Sequence, residues 1–162
     1  GGTASAERAA LDTAVRAGLP GGAALRAYRD PVPLAGSAAG PRRLPDSRAG
    51  AADAWYADWT VPGQPGAPRL TLLVTLPGGD RLDPREVCAA AGATSYCHDK
   101  DADGGRLVAY EVPVGDAVER GAVLLRPDGS RVRLTESVLA SVDFPFAAGD
   151  LAGVVADPAL QL

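Results

Sequence analysis

The chain has 162 residues, of which 46% are hydrophobic, 22% charged and only 5% aromatic. That length suits one domain, burying about two-thirds of the surface its unfolded form exposes, with a core built mainly from Leu, Val and Ala. A formal net charge of −4, with only Arg42-Arg43 as a small basic spot, argues against a nucleic-acid partner.

No run approaches the roughly 18 apolar residues that a membrane-spanning helix needs, and no signal peptide is recognisable. Gly1-Gly2 ahead of a Thr/Ser/Ala-rich start reads as a cut edge. A membrane link is therefore expected only through an anchor removed from upstream. Among the basic residues Lys100 is the sole lysine, a codon bias of high-GC genomes.

Ser5 to Ala17 predicts a helix, with Ser5 as N-cap and Leu11, Val15 and Leu19 recurring every four residues. Gly18 and Pro20-Gly21-Gly22 stop it. Ala23 to Tyr28 fits a short strand before Asp30-Pro31. Residues 31–50 hold Pro, Gly, Ala, Ser and Arg without period, which predicts a long irregular surface loop. Ala51 to Val61 alternates, placing Trp55, Ala57 and Trp59 on one face of a strand. Two aromatics at that spacing can stack a sugar or a partner, but in so aromatic-poor a chain the core reading is favoured.

Leu70 to Leu76 is the clearest strand. Asp83-Pro84 opens a short helix carrying Val87 and Cys88 and ending near Gly92. Leu107 to Val114 is a strand, and Gly121–Arg126 with Arg131–Thr135 form a hairpin turning at Pro127-Asp128-Gly129-Ser130. Ser137 to Phe146 reads as loop, with Phe144 and Phe146 tucked onto the sheet, and a last helix spans Ala148 to Ala156. The expected fold is α+β: an antiparallel sheet of about five strands, with an N-terminal helix, a short disulfide-linked helix and a short C-terminal helix packed on one face. Residues 1–162 are expected to form a single globular domain.

The chain's unusual chemistry lies between Asp83 and Glu111. Cys88 and Cys97, nine apart, suit a disulfide closing a loop of about ten residues. That is favoured over a metal site with His98, because adjacent Cys97 and His98 seldom reach one ion. A disulfide implies an oxidising, extracytoplasmic compartment. Asp99, Asp101 and Asp103, followed by Gly104, reproduce the first half of a calcium-binding loop. The second half departs from it, with Arg106 at the eighth position and Tyr110 at the twelfth. These acids are therefore weak metal candidates, calcium being the one cofactor to consider. His98 beside Asp99 is a possible base, but no serine sits in a GxSxG elbow, so hydrolase chemistry has no catalytic residues to name.

From Val87 to Glu136 the order of residues is similar to that of a known group of domains. The order is Cys-x8-Cys, an acidic turn into Gly105-Arg106-Leu107-Val108, then LLRPDGSRVRLTES and a closing helix ending Ala156-Asp157-Pro158. It resembles extracytoplasmic domains of uncharacterised actinobacterial membrane-anchored proteins and lipoproteins, over roughly Ala54 to Leu162. The resemblance implies a cell-envelope sensor or regulator, including signalling through a membrane-bound anti-sigma factor, and brings no catalytic residues.

The expected function is a non-enzymatic extracytoplasmic sensory or binding domain of a membrane-anchored envelope protein, with a protein partner or envelope ligand. The alternatives are a calcium-binding module using residues 99–104 and a hydrolase of unknown substrate.

Overall fold

A computed structural model describes residues 2–34, 54–78, 81–91, 96–102 and 104–161. Helix α1 (Gly2–Gly18) precedes three strands, β1 (Arg26–Leu34), β2 (Ala54–Thr60) and β3 (Arg69–Thr75). Helix α2 (Pro84–Ala91) leads into four more: β4 (Tyr96–Ala102), β5 (Gly105–Val114), β6 (Ala117–Leu125) and β7 (Arg131–Leu139). Helix α3 (Ala148–Val155) and a 3-10 turn (Pro158–Leu160) close the chain.

The strands form one antiparallel sheet in the order β1-β2-β3-β7-β6-β5-β4. Two meanders, β1 to β3 and β4 to β7, are thus joined where β3 pairs with β7. The α+β class is as expected, but the sheet has seven strands, not about five. The acidic stretch is strand β4, and Asp30-Pro31 lies within β1 instead of ending it. Proline is tolerated there because β1 is an edge strand, with pairing shifts on either side of Arg29. The remainder of the predicted 31–50 loop, residues 35–50, lies outside the described residues, as do Arg42 and Arg43.

The first sheet face carries the larger core. Alternation puts Trp55, Ala57 and Trp59 of β2 beside Leu70, Leu72 and Val74 of β3, and Val132 and Leu134 of β7 continue the layer. Leu11, Val15 and Leu19 of α1 pack on it with Leu151, Val154 and Val155 of α3. Both tryptophans are core residues, as the scarcity of aromatics predicts. Helix α1 begins at Gly2, so Ser5 lies inside it and is not its N-cap. Asp83 does cap α2, accepting from the Glu86 amide at 3.1 Å. The hairpin turn also forms where predicted: Gly129 sits at φ 86°, and its amide donates to the Arg126 carbonyl at 3.1 Å.

Helix α2 departs from the expected one-sided arrangement. It lies on the second face, where Val87 packs with Val108, Tyr110, Val112, Val123 and Leu125. The reason is in the crossover: from β3 the chain must reach the far edge, and the first face is already covered by α1 and α3. Strand β7 also runs on to Leu139, so Ser137 is strand and not loop.

Gly121 is among the glycines that packing requires. A Cβ at Gly121 would lie 2.5 Å from the Tyr110 ring, which rests across this gap in the second face. The Tyr110 hydroxyl accepts from Arg133 Nη2 at 2.6 Å and Nε at 3.0 Å, so the ring cannot simply swing aside. Gly121→Ala is expected to lower stability by about 1–2 kcal/mol in urea unfolding, and an unchanged midpoint would mean that the ring has room to move.

Candidate functional site

Opposed residues of an antiparallel pair share a face, so register alone assembles the second-face surface beyond α2. Arg69, Ser137 and Glu119 form one row across β3, β7 and β6, and Asp58, Thr71 and Thr135 form the next row across β2, β3 and β7. Tyr56 lies one step further along β2. Where these rows meet the β2–β3 connection the surface sinks into a cleft of about 400 Å³, lined by Tyr56, Arg69, Thr71, Glu119, Ser137 and Leu139.

The wall opposite is backbone. Gly66 and Ala67 take positive φ of 74° and 46° in succession, and the Val61 amide donates to the Pro68 carbonyl at 3.0 Å to close the loop. For alanine that conformation costs about 1–2 kcal/mol. Strained backbone of this kind gathers at binding sites, where surrounding structure holds it. Gly66 also fits closely against Leu139: a Cβ there would lie 3.2 Å from its side chain.

The cleft has a defined charge layout. The Arg69 guanidinium stacks on the Tyr28 ring, 3.9 Å from its centroid, which steadies an otherwise exposed cation. Glu119 is half-buried across the row. Behind the floor, the Tyr56 hydroxyl donates to Asp58 Oδ2 at 3.4 Å. Asp58 Oδ1 and Thr135 Oγ1 are buried without a hydrogen-bond partner. Such groups are costly in a protein interior.

The residues singled out in the sequence are not in this cleft. Cys88 and Cys97 form a disulfide with Cα atoms 5.9 Å apart, tying α2 to edge strand β4 over the smaller core. Asp99 and Asp101 point to the second face of β4, and both accept from Arg106, whose guanidinium they hold above its ordinary range. Asp103 lies outside the described residues. His98 is exposed on the opposite face, edge-on to Tyr96 at 4.7 Å between ring centroids. Strand alternation therefore points Asp99 away from the imidazole, so it cannot orient that ring as a catalytic carboxylate would.

A second polar cluster sits at the rim of the first face, where cross-strand register places Glu111, Arg120 and Glu136 in one row. Arg120 pairs with Glu111 at 2.9 Å, donates to the Phe146 carbonyl at 3.0 Å and stacks on Phe144 at 4.2 Å. Of the two phenylalanines, Phe146 is buried in the core and Phe144 is half-buried. Glu136 is only 1% exposed. Its Oε1 accepts from the Phe146 amide at 3.4 Å, and its Oε2 has no partner.

Burial pushes the Glu136 carboxyl up from 4.5 to about 7, against the pull of the Phe146 amide and Arg120. Asp150 and Glu111 add to the rise. A carboxyl raised in the folded state contributes stability that is fully present below about 4.5 and lost as pH rises through about 7. Wild-type protein should therefore lose about 2 kcal/mol more than Glu136→Gln between pH 5 and pH 8, allowing for partial screening. Urea titrations at the two pH values check this; equal losses in both proteins would show that Glu136 does not titrate in that range.

Fold and site together define a disulfide-stapled α+β module with a small mixed-polarity cleft on one sheet face. Comparison with protein-family models, with curated proteins and with solved structures finds no match. Among the described residues, no helix is long and apolar enough to cross a membrane. Nor, among the same residues, is any group of three or more His, Cys, Asp or Glu side chains placed to hold a metal ion.

Proposed function

We propose that the chain is a non-enzymatic recognition domain of a membrane-anchored cell-envelope protein, working outside the cytoplasm and binding its ligand or partner in the second-face cleft. The observation that carries this reading is the Cys88–Cys97 disulfide. Structural disulfides persist in oxidising compartments and are rare in the cytosol. This one fastens a polar edge strand that buries little of its own surface. The cleft supports the binding half of the reading. It combines an aromatic floor, two hydroxyls, one cation and one anion with an apolar wall, the mixture typical of a ligand pocket. The resemblance of residues 54–162 to extracytoplasmic actinobacterial domains points the same way.

The sole lysine, Lys100, is exposed on β4 and offers a direct test of topology. A membrane-impermeant amine reagent applied to intact cells should modify Lys100 in the full-length protein. Modification that appears only after lysis would place the domain inside and overturn the reading.

A further inference from the structure

Away from the cleft, the rim cluster on the first face holds Arg120 between two acids, and we propose that these three residues form a pH-sensitive switch. Arg120 pairs with Glu111 while Glu136 is neutral and crosses to Glu136 when that carboxyl ionises. Register sets up the choice: Arg120 lies directly opposite Glu111 on β5 and directly opposite Glu136 on β7. Its Cβ is therefore about 5 Å from that of either acid, within reach of a guanidinium in both directions. The guanidinium gives Nε and Nη2 to Glu111 Oε1, at 3.0 and 2.9 Å. Its Nη1 donates to the Phe146 carbonyl at 3.0 Å, and the Phe146 amide donates to Glu136 Oε1 at 3.4 Å. The exchange is thus a short swing about Phe146, which both side chains already touch.

Burial decides which acid prevails. Glu111 is 35% exposed and loses little when its ion pair opens, because water replaces the guanidinium. Glu136 is 1% exposed, and its Oε2 has no partner. An ionised carboxylate in that position costs far more unpaired than one at the surface. Once charged, it outcompetes Glu111 for the cation between them. Its carboxyl stays neutral up to about 7, so Arg120 sits on Glu111 below that point and on Glu136 above it. Asp150 on α3 disfavours ionisation of Glu136, as Glu111 does. Strand β3 opposes Glu136 with Leu70, and Asp143, ahead of α3, is exposed. Glu111 faces Tyr96 of β4 across the ladder. The switch therefore turns titration of a buried group into a bare negative charge beside the edge strand.

Two double-mutant cycles in urea, each at pH 5 and pH 8, test the exchange. The cycle of Arg120→Gln with Glu111→Gln should show a coupling worth about threefold in the folding equilibrium at pH 5 and none at pH 8. The cycle of Arg120→Gln with Glu136→Gln should show the reverse, none at pH 5 and about tenfold or more at pH 8. In a Glu136→Gln background the coupling of Arg120 to Glu111 should persist at both pH values, which a general loss of stability with pH would not produce. Should Arg120→Gln fail to fold, carboxyl carbon shifts of the wild type read the same exchange. The Glu111 carbon should show a step at the midpoint of Glu136, near 7, and lose it in Glu136→Gln. Equal coupling of Arg120 to Glu111 at pH 5 and pH 8 would overturn the switch, as would a Glu111 carbon without that step.

Discussion

Trp59→Ala is expected to lower the unfolding free energy by about 3–5 kcal/mol, a large share of what a domain this size holds. Trp59 is completely buried, among the largest side chains of the first-face core. Removing it opens a cavity between β2 and the helices above. It also removes a hydrogen bond, because Trp59 Nε1 donates to Asp12 Oδ1 at 3.1 Å. Asp12 in turn accepts from Arg16 Nε at 2.9 Å, and Arg16 Nη1 donates to the Leu25 carbonyl at 2.6 Å. Trp59 therefore holds α1 to the sheet through both packing and a polar bridge. Trp59→Phe keeps most of the volume and should cost about half as much. Urea unfolding followed by far-ultraviolet circular dichroism reads both variants. A loss below about 1 kcal/mol for Trp59→Ala would remove tryptophan from the anchoring role assigned to it.

The second large effect is expected from Cys88→Ser/Cys97→Ser. Opening a cross-link of about ten residues restores chain entropy to the unfolded state and should cost about 2–3 kcal/mol. The loss should also be local. Strand β4 is an edge strand with mostly exposed side chains, attached by its ladder to β5 and by the disulfide. Hydrogen exchange at Tyr96 to Ala102 should accelerate far more than in β3 or β7, which sit at the centre of the sheet. Uniform acceleration in all strands would mean that β4 opens only with the whole fold.

Much of this architecture is written locally in the sequence, and the exceptions have physical causes. The Pro127–Ser130 turn, the Asp83 cap and the four-residue recurrence of Leu11, Val15 and Leu19 each depend on near neighbours, so they can be read directly. The burial of Trp55 and Trp59 follows from strand alternation and the scarcity of other aromatics. Strand β4 was illegible because YCHDKDA has no apolar face: it borrows its order from β5 and from Cys97. Asp99 and Asp101 of the Asp-x-Asp pattern that resembles a calcium loop lie in an edge strand, with Arg106 facing both acids on the same side. Among the residues of helix α2 whose burial is described, Val87 is the one fully buried apolar side chain, too little to show which face it would choose. The cleft was hidden for a different reason. Its residues come from four strands and a loop and meet only through register, with no motif linking Arg69, Glu119 and Ser137 along the chain. The one available hint was the run of polar residues at alternating strand positions, from Asp58 to Thr135.

The proposed compartment and the ordering of β4 both rest on the Cys88–Cys97 disulfide. The most direct test is alkylation trapping of the full-length protein in its native cells, followed by mass spectrometry of the Cys88 and Cys97 peptides. The two peptides should be recovered cross-linked and unmodified by the trapping reagent. Both cysteines recovered as alkylated thiols would contradict the account.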